Sequence, residues 1–426
     1  MQCWARVAKL AHDFPTVVAV VPEPFPIPPA AGTPRPWHLL GGLRERGAKL
    51  CLLGVVADDD RNWDAFVAQE SLRTLFGEVR TVRRESRSSL FAALRTRVEG
   101  RPALDRRHKN PTALAAAQAA ARSLVAGHRP AVFYCWTLNA LQWVPEEWWP
   151  AVALDLVDSP SMTVERRLKS DSGLSALRRA VLRIELPALR SYLDRALRRV
   201  GAAITNSSAD LAHLAANHAG VNARLHRVID GGDAAYFAPE PFAAVAESSN
   251  ELVFVGAMTF PPNADAARFL AREILPIVRR THPDLKAWLI GPDPGGAIAD
   301  LNDGERVVVT GFVDDVRPYL KRAAVVVSPL RFGAGMKNKL QAGLAMEKAM
   351  VVSPVTCEGF DDLVPGRDAL VASSAPEFAA RVCELLESPE RRRALGSAGR
   401  ALIRAHYTWP AAVDALVRAI ASCEPV

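Results

Sequence analysis

The densest collection of chemically useful residues in the chain is the run SPLRFGAGMKNKLQ at 328–341. An apolar stretch, AVVVSPL (324–330), leads into Gly333 and Gly335 and then into a segment of helical character that opens on Lys337, Asn338 and Lys339. Ligands of open α/β sheets bind beyond the carboxyl ends of strands, and the first turn of a helix offers unpaired N–H groups and a partial positive charge. Glycines let the backbone come close to such a ligand. A guanidinium such as Arg331 can hold two phosphate oxygens at once, while Lys337 and Lys339 act as point charges. A diphosphate-sized anion fits this grouping best. An ordinary strand-to-helix turn with a solvated basic rim is the competing reading.

A second grouping lies at the start of the chain, where TVVAVV (16–21) runs into PEPFPIPPAAGTPRPWHLL. The loop carries Arg35 and His38, and its prolines leave no room for a GxGxxG nucleotide fingerprint. A histidine satisfied within a helix start is the plain alternative for His38. Asp155 and Asp158, in LDLVDSPS, are the nearest ionisable groups to the end of another apolar run. Either could serve a site at that strand end, although Asp155 could equally cap its strand.

These groups need a scaffold, and the chain supplies alternating short β-branched runs and helical segments, the pattern of parallel α/β layers. KLCLLGVV (49–56), AVFYCW (131–136) and AVALDLV (151–157) read as buried strands. Residues 173–199 read as a basic amphipathic helix, with Leu174, Leu177, Val181, Ile184, Ala188 and Leu189 at three- and four-residue intervals. The stretch 238–250, APEPFAAVAESSN, has no apolar periodicity and reads as a linker. A second series follows: ELVFVGAM, LKAWLIG, RVVVTGFV, AVVVSPL, AMVVSPV and DALVA. The expected organisation is therefore a Rossmann-like domain over 1–240, a second over 241–410, and a C-terminal helix in 411–426 packing back on the first.

Composition narrows the classes. The 426 residues are 49% hydrophobic and 23% charged, with a formal net charge of +7, which excludes disordered, collagenous and disulfide-scaffold proteins. No run approaches the roughly 20 apolar residues of a membrane span, and no cleavable signal is expected. Six scattered cysteines without a CxxC pair, and no histidine at metal-ligand spacing, suggest a reduced protein without structural zinc. Residues 1–240 hold 32 Lys+Arg and 24 Asp+Glu, so the first half carries all the excess charge. Within it, 166–199 has ten basic and three acidic residues. This is either a solvated face or a surface for an anionic membrane or acceptor. The lack of interleaved aromatics or a recognition helix argues against nucleic acid.

The stretches FVGAMTFPPNADAARFLAREILPIVRRTHPDLKAWLIGPDP, VVVTGFVDDVRPYLKRAAVVVSPLRFGAGMKNK, VVSPVTCEGFDDLVPGRDALVA and HYTWPAAVDAL carry a resemblance. With PFPIPPAAGTPRPWHLL, LDLVDSPSM and TNSSAD…VIDGGDAAYFAP, it extends over roughly residues 16–420. The chain resembles the retaining, nucleotide-sugar-dependent glycosyltransferases of family four (glycosyl transferases group 1), and is similar to the branch linked to exosortase and exopolysaccharide gene clusters. That resemblance implies the GT-B fold, two Rossmann-like domains facing each other across a cleft. It also implies transfer of a sugar from a nucleoside-diphosphate donor to a saccharide or lipid-linked acceptor, with retention, no metal and no cofactor. A cytoplasmic protein, peripheral at the inner face of the plasma membrane through 166–199, would suit such an acceptor.

By the same resemblance, Arg331, Lys337 and Lys339 fall where the family holds phosphates, and Glu358 and Gly359 match its loop near the sugar. Gly256, Gly333, Gly335, Gly311, Phe312 and Val313 match backbone and base positions of the donor site, Gly32 matches the glycine loop of the first domain, and Arg35, His38, Asp155 and Asp158 are the acceptor-side candidates. The chain departs from the pattern where many members carry two glutamates eight residues apart. Here Gln341 or Ala342 takes the second position and Gly333 or Ala334 the first. The usual basic pair after the first strand of the second domain is missing from GAMTFPPN. A catalytically degenerate sugar-nucleotide-binding protein is accordingly the alternative to an active transferase.

Overall fold

The computed structural model describes residues 14–25, 27, 35–85, 110–171, 173–221, 224–293 and 295–426. Gly32 and Cys3 fall outside them. The chain divides into two compact units: 1–164, 177–229 and 409–426 form the first, and 165–176 with 230–408 form the second.

The first unit is built on a seven-stranded parallel sheet in the order β3-β2-β1-β4-β5-β6-β7. Its strands are β1 (Thr16–Val21), β2 (Leu50–Ala57), β3 (Glu78–Arg84), β4 (Ala131–Trp136), β5 (Val152–Val157), β6 (Ala202–Thr205) and β7 (Leu225–Arg227). All six residues of β1 are buried, as a strand covered on both faces requires. Its register sets Val17 beside Leu50 of β2 and Val132 of β4. Strand order reverses between β1 and β4, which makes the carboxyl ends of these strands the switch point where such sheets hold ligands.

Two edge strands escaped the sequence pattern. β3, EVRTVRR, keeps only Val82 buried, so it lacks the apolar run that marks its neighbours. β7 is three half-buried residues. Charged edge strands are how sheets avoid pairing with other chains, and they give weak sequence signals for that reason.

One face of this sheet is covered by the Ala-rich helix Pro111–Gly127 and the C-terminal half of Ala176–Arg199. In the latter helix Leu189, Tyr192, Leu193, Ala196 and Leu197 are buried, whereas Leu177 and Ile184 remain 76% and 60% exposed. The apolar stripe expected over 173–199 is thus a core face only in its last three turns. On the other face, helix Trp409–Ile420 packs Ala412, Val413, Leu416 and Ile420 against Leu39, Leu40 and Leu43 of helix Arg35–Glu45. Gly42 makes the approach possible, since a β-carbon there would lie 2.4 Å from a Val413 methyl.

The second unit carries a six-stranded parallel sheet in the order β10-β9-β8-β11-β12-β13. Its strands are β8 (Glu251–Val255), β9 (Lys286–Ile290), β10 (Val307–Gly311), β11 (Val325–Ser328), β12 (Met350–Val352) and β13 (Leu370–Val371). The chain enters this unit at Asp230, before the expected 241. Val228 still donates to Thr205 of β6, but the Asp230 amide donates to Met336 and the Gly232 amide to the Tyr407 carbonyl. Residues 165–176, expected in the first domain, also group with the second unit.

Candidate functional site

The glycine loop sits where the sequence puts it. β11 ends at Ser328, the loop turns through Gly333 (φ 138°) and Gly335 (φ 68°), and the helix Asn338–Ala345 begins at once. Both glycines occupy backbone conformations that a side chain would strain. The opening turn of the helix faces the loop with its first N–H groups outside the helical ladder.

The cations expected to serve this loop are placed differently from one another. Arg331 points to the helix Pro261–Phe269, where its Nε donates to Asp265 Oδ2 at 2.8 Å and a terminal nitrogen donates to Oδ1. Its guanidinium lies 5.0 Å from the centre of the Phe269 ring, and the hydrogen bonds to Asp265 raise its pKa further. Lys337 is buried and donates to the carbonyls of Ala334 and Gly335, so it braces the loop from within. Lys339 donates to Asn263 Oδ1 at 2.7 Å. Burial, with the Lys337 ammonium close by, pushes the Lys339 amine down to about 7.

Gly256 has a packing role. A β-carbon there would meet Asn263 at 2.7 Å, and one on Gly291 would meet the Gly256 carbonyl oxygen at 2.1 Å. Two chain segments and the Asn263 amide therefore account for that glycine. At the end of β10, Gly311 has φ 69° and Phe312 is 65% exposed, an aromatic that no core claims; Val313 is half-buried. Gln341 is buried and donates from Nε2 to the Asp230 carbonyl at 2.6 Å. The amide thus holds the strap that enters the second unit.

Glu358 and Gly359 (φ 87°) follow the short turn Pro354–Cys357 after β12. Glu358 receives both terminal nitrogens of Arg166, at 2.5 and 2.9 Å, and Arg166 also donates to the Gly333 carbonyl at 2.6 Å. Sequence reading counted Arg166 only as one charge of a basic run. Its local neighbours, VERRLKS, carry no motif, so spacing alone could not have found it.

In the first unit, Arg35 and Asp155 form a buried pair, 1% and 0% exposed. Arg35 donates through Nε and a terminal nitrogen to Asp155 at 2.8 and 3.2 Å, and through the other to the Ile229 carbonyl. Asp155 also accepts from the Tyr134 hydroxyl at 2.6 Å and the Val157 amide at 3.0 Å. This carboxylate is a strand-end brace, the second of the two roles open to it. His38 stacks on Trp409 with ring centroids 4.4 Å apart and belongs to the packing of the C-terminal helix.

Above that brace lies a cavity of ≈ 450 Å³ lined by Arg35, Trp136, Thr137, Asn139, Val157 and Asp158, among others. Thr137 and Val157, at the ends of β4 and β5, have φ of 71° and 67°. Such values are costly for β-branched residues and mark backbone held in place by its surroundings. Trp136, Thr137 and Asn139 were not singled out from the sequence, which shows only apolar and neutral residues there.

Cys51, Glu78 and His128 come together at one edge of the first sheet, with possible ligand atoms all within 4.8 Å. Their separation along the chain hid this grouping from any spacing rule. His128 Nε2 lies 2.9 Å from Glu78 Oε2, and that hydrogen bond chiefly holds the Glu78 carboxyl below its usual range. Burial, helped by Glu78, pushes the Cys51 thiol up to about 11. A mixed S/N/O set of this kind suits a borderline ion, but the His–Glu hydrogen bond satisfies two of its members without one.

Residues 249–388, which include the glycine loop, match the protein family described as Glycosyl transferases group 1. No curated protein matches the chain. Among solved structures, the chain is similar to a glycosyltransferase from Rickettsia africae at 12% identity, covering 95% of this chain and 97% of that one with a TM-score of 0.62. It is similar to sucrose-phosphate synthase from Thermosynechococcus elongatus at 16% identity, with 94% and 97% covered and a TM-score of 0.62. It is also similar to Anabaena HepE, solved with UDP and glucose, at 13% identity, with 94% and 98% covered and a TM-score of 0.62. The fold is GT-B, with one Rossmann-like parallel sheet in each unit.

Proposed function

We propose that the protein transfers a sugar from a nucleoside-diphosphate sugar to an acceptor hydroxyl. The observation that carries this reading is the glycine loop feeding the helix Asn338–Ala345, inside the stretch that matches the glycosyl transferases group 1 family. Backbone N–H groups of the loop, braced from within by the buried Lys337, and the Glu358–Gly359 turn make a cradle for a diphosphate. UDP in the HepE structure offers an analogy for the donor class. Phe312, exposed beside Gly311, suits stacking on the base.

The acceptor side of this reading is the cavity of the first unit. Trp136 supplies an aromatic face, and Asn139 and Asp158 supply polar groups for a hydroxyl-rich ligand. Transfer with retention, without a metal, and in the assembly of a polysaccharide or glycolipid completes the proposal. The exposed Leu177 and Ile184, set among Arg178, Arg179, Arg183 and Arg190, support docking of this helix on an anionic membrane.

The test is calorimetric titration with UDP, GDP and ADP, followed by their sugar conjugates. Affinity in the micromolar range for one of the three is expected; no binding of any at millimolar concentration overturns the reading. Gln341, in place of an acidic group and committed to the Asp230 carbonyl, favours the degenerate alternative. Tight binding of a sugar nucleotide with neither hydrolysis nor transfer to any saccharide acceptor would decide for that alternative.

A further inference from the structure

A diphosphate seated on the glycine loop brings about two negative charges to a place whose expected cations are otherwise engaged. Arg331, 37% exposed, is turned to Asp265 and lies against the Phe269 ring, and its remaining terminal nitrogen is 3.8 Å from Glu273. The ammonium of Lys337 is spent on two carbonyls of the loop itself, and that of Lys339 on Asn263. The segment after β8, GAMTFPPN, carries no basic residue. Arg166 is different. Its guanidinium bridges the Gly333 carbonyl and the Glu358 carboxylate, the two loops that flank the proposed diphosphate.

We infer that Arg166 is the guanidinium that grips the donor diphosphate, and that Glu358 holds its place until the donor arrives. The inference rests on the nucleotide-sugar reading above. A planar fork that accommodates a carboxylate also accommodates two phosphate oxygens, because both ligands present paired oxygens at similar spacing. A dianionic ligand on the same fork outcompetes a single carboxylate, which is 22% exposed and easily rehydrated. The Gly333 carbonyl keeps one N–H and so holds the guanidinium over the loop while its other donors change partner. Arg166 thus performs the task that the sequence assigned to Arg331, and Arg331 is left with a packing role.

Calorimetric titration of a nucleoside diphosphate separates these roles. Arg166→Ala is expected to bind the diphosphate ten- to a hundredfold more weakly than wild type, which is the size of a charge-assisted bidentate contact. It is expected to bind the matching nucleoside, which lacks phosphates, with unchanged affinity. Arg166→Lys keeps the charge without the fork and is expected to lose three- to tenfold. Glu358→Gln removes the competing charge and is expected to tighten diphosphate binding. Arg331→Ala is expected to lower the melting temperature while changing diphosphate affinity less than threefold. Circular dichroism of each variant separates misfolding from loss of a contact. Wild-type affinity in Arg166→Ala, or a large loss confined to Arg331→Ala, overturns the inference and leaves the proposed function standing. A wild-type protein that binds no nucleoside diphosphate overturns both.

Discussion

Lys339 joins local chemistry to stability more directly than any other side chain near the glycine loop. In the unfolded chain its amine keeps a proton up to about 10.5, and in the folded protein only up to about 7. Between those values the unfolded chain binds more protons, so stability rises with pH across that window. Below 7 both states are protonated and the full cost of the buried charge is present. Lys339→Met is therefore expected to be more stable than wild type at pH 6 by on the order of a few kcal/mol, with the gain shrinking toward pH 9. Denaturant titrations at the two pH values check this, and an equal gain at both would refute it. Asp155 argues the opposite case. Removing it strands Arg35 in a 1% exposed position, so Asp155→Ala is expected to lose about 3–5 kcal/mol of stability. A loss under 1 kcal/mol in denaturant unfolding would show that water relieves the guanidinium. Residue types and spacing picked out the loop, its glycines and its lysines, because those depend on neighbours in sequence. They could not say that Arg331 turns to Asp265, 66 residues away, or that Arg166 reaches Glu358, 192 residues away. Which partner wins an arginine is decided by tertiary distance, and a sequence does not display it.

At the scale of elements, the sequence showed every strand with a continuous β-branched run and missed those that lack one. β1, β2 and β8 are buried along nearly their whole length and read clearly. β3 and β7 are the two edge strands of their sheet and bury few residues, whereas β13, only Leu370–Val371, was still legible in DALVA. The helix Trp409–Ile420 was legible for another reason. Its apolar face outlasts the second series of strands, so it needed a surface elsewhere, and Leu39, Leu40 and Leu43 provide one. That packing gives an element-scale test. Leu416 is fully buried, and Leu416→Ala is expected to cost about 2–5 kcal/mol through lost burial and the cavity left behind. The transition to follow is that of the first unit, reported by near-ultraviolet circular dichroism of its tryptophans. A loss below 0.5 kcal/mol would mean that this helix contributes little to the unit. Gly42→Val puts a branched side chain where even a β-carbon lies 2.4 Å from Val413, and is expected to destabilise at least as much.

For the whole molecule, the net charge of +7 becomes a local property once ion pairs are counted. Of the ten basic residues in 166–199, Arg166 pairs with Glu358, Arg167 with Asp171, Arg198 with Asp194 and Arg199 with Glu146. Arg178, Arg179 and Arg183 fall on the same N-terminal half of the helix as the exposed Leu177 and Ile184, with Arg190 just beyond it. No described helix is long and apolar enough to cross a membrane, and this half of the helix is the surface proposed to meet lipid. Two apolar side chains and four arginines make a modest anchor, strong on anionic lipid and weak on neutral lipid, with the electrostatic part screened by salt. Sedimentation with vesicles containing a third anionic lipid is expected at 50 mM salt and to fall severalfold at 500 mM. Replacing the four arginines by glutamate is expected to abolish it, while Leu177→Ser with Ile184→Ser weakens it and leaves nucleotide affinity unchanged. Equal sedimentation of wild type and the arginine variant would reduce this half of the helix to a solvated face.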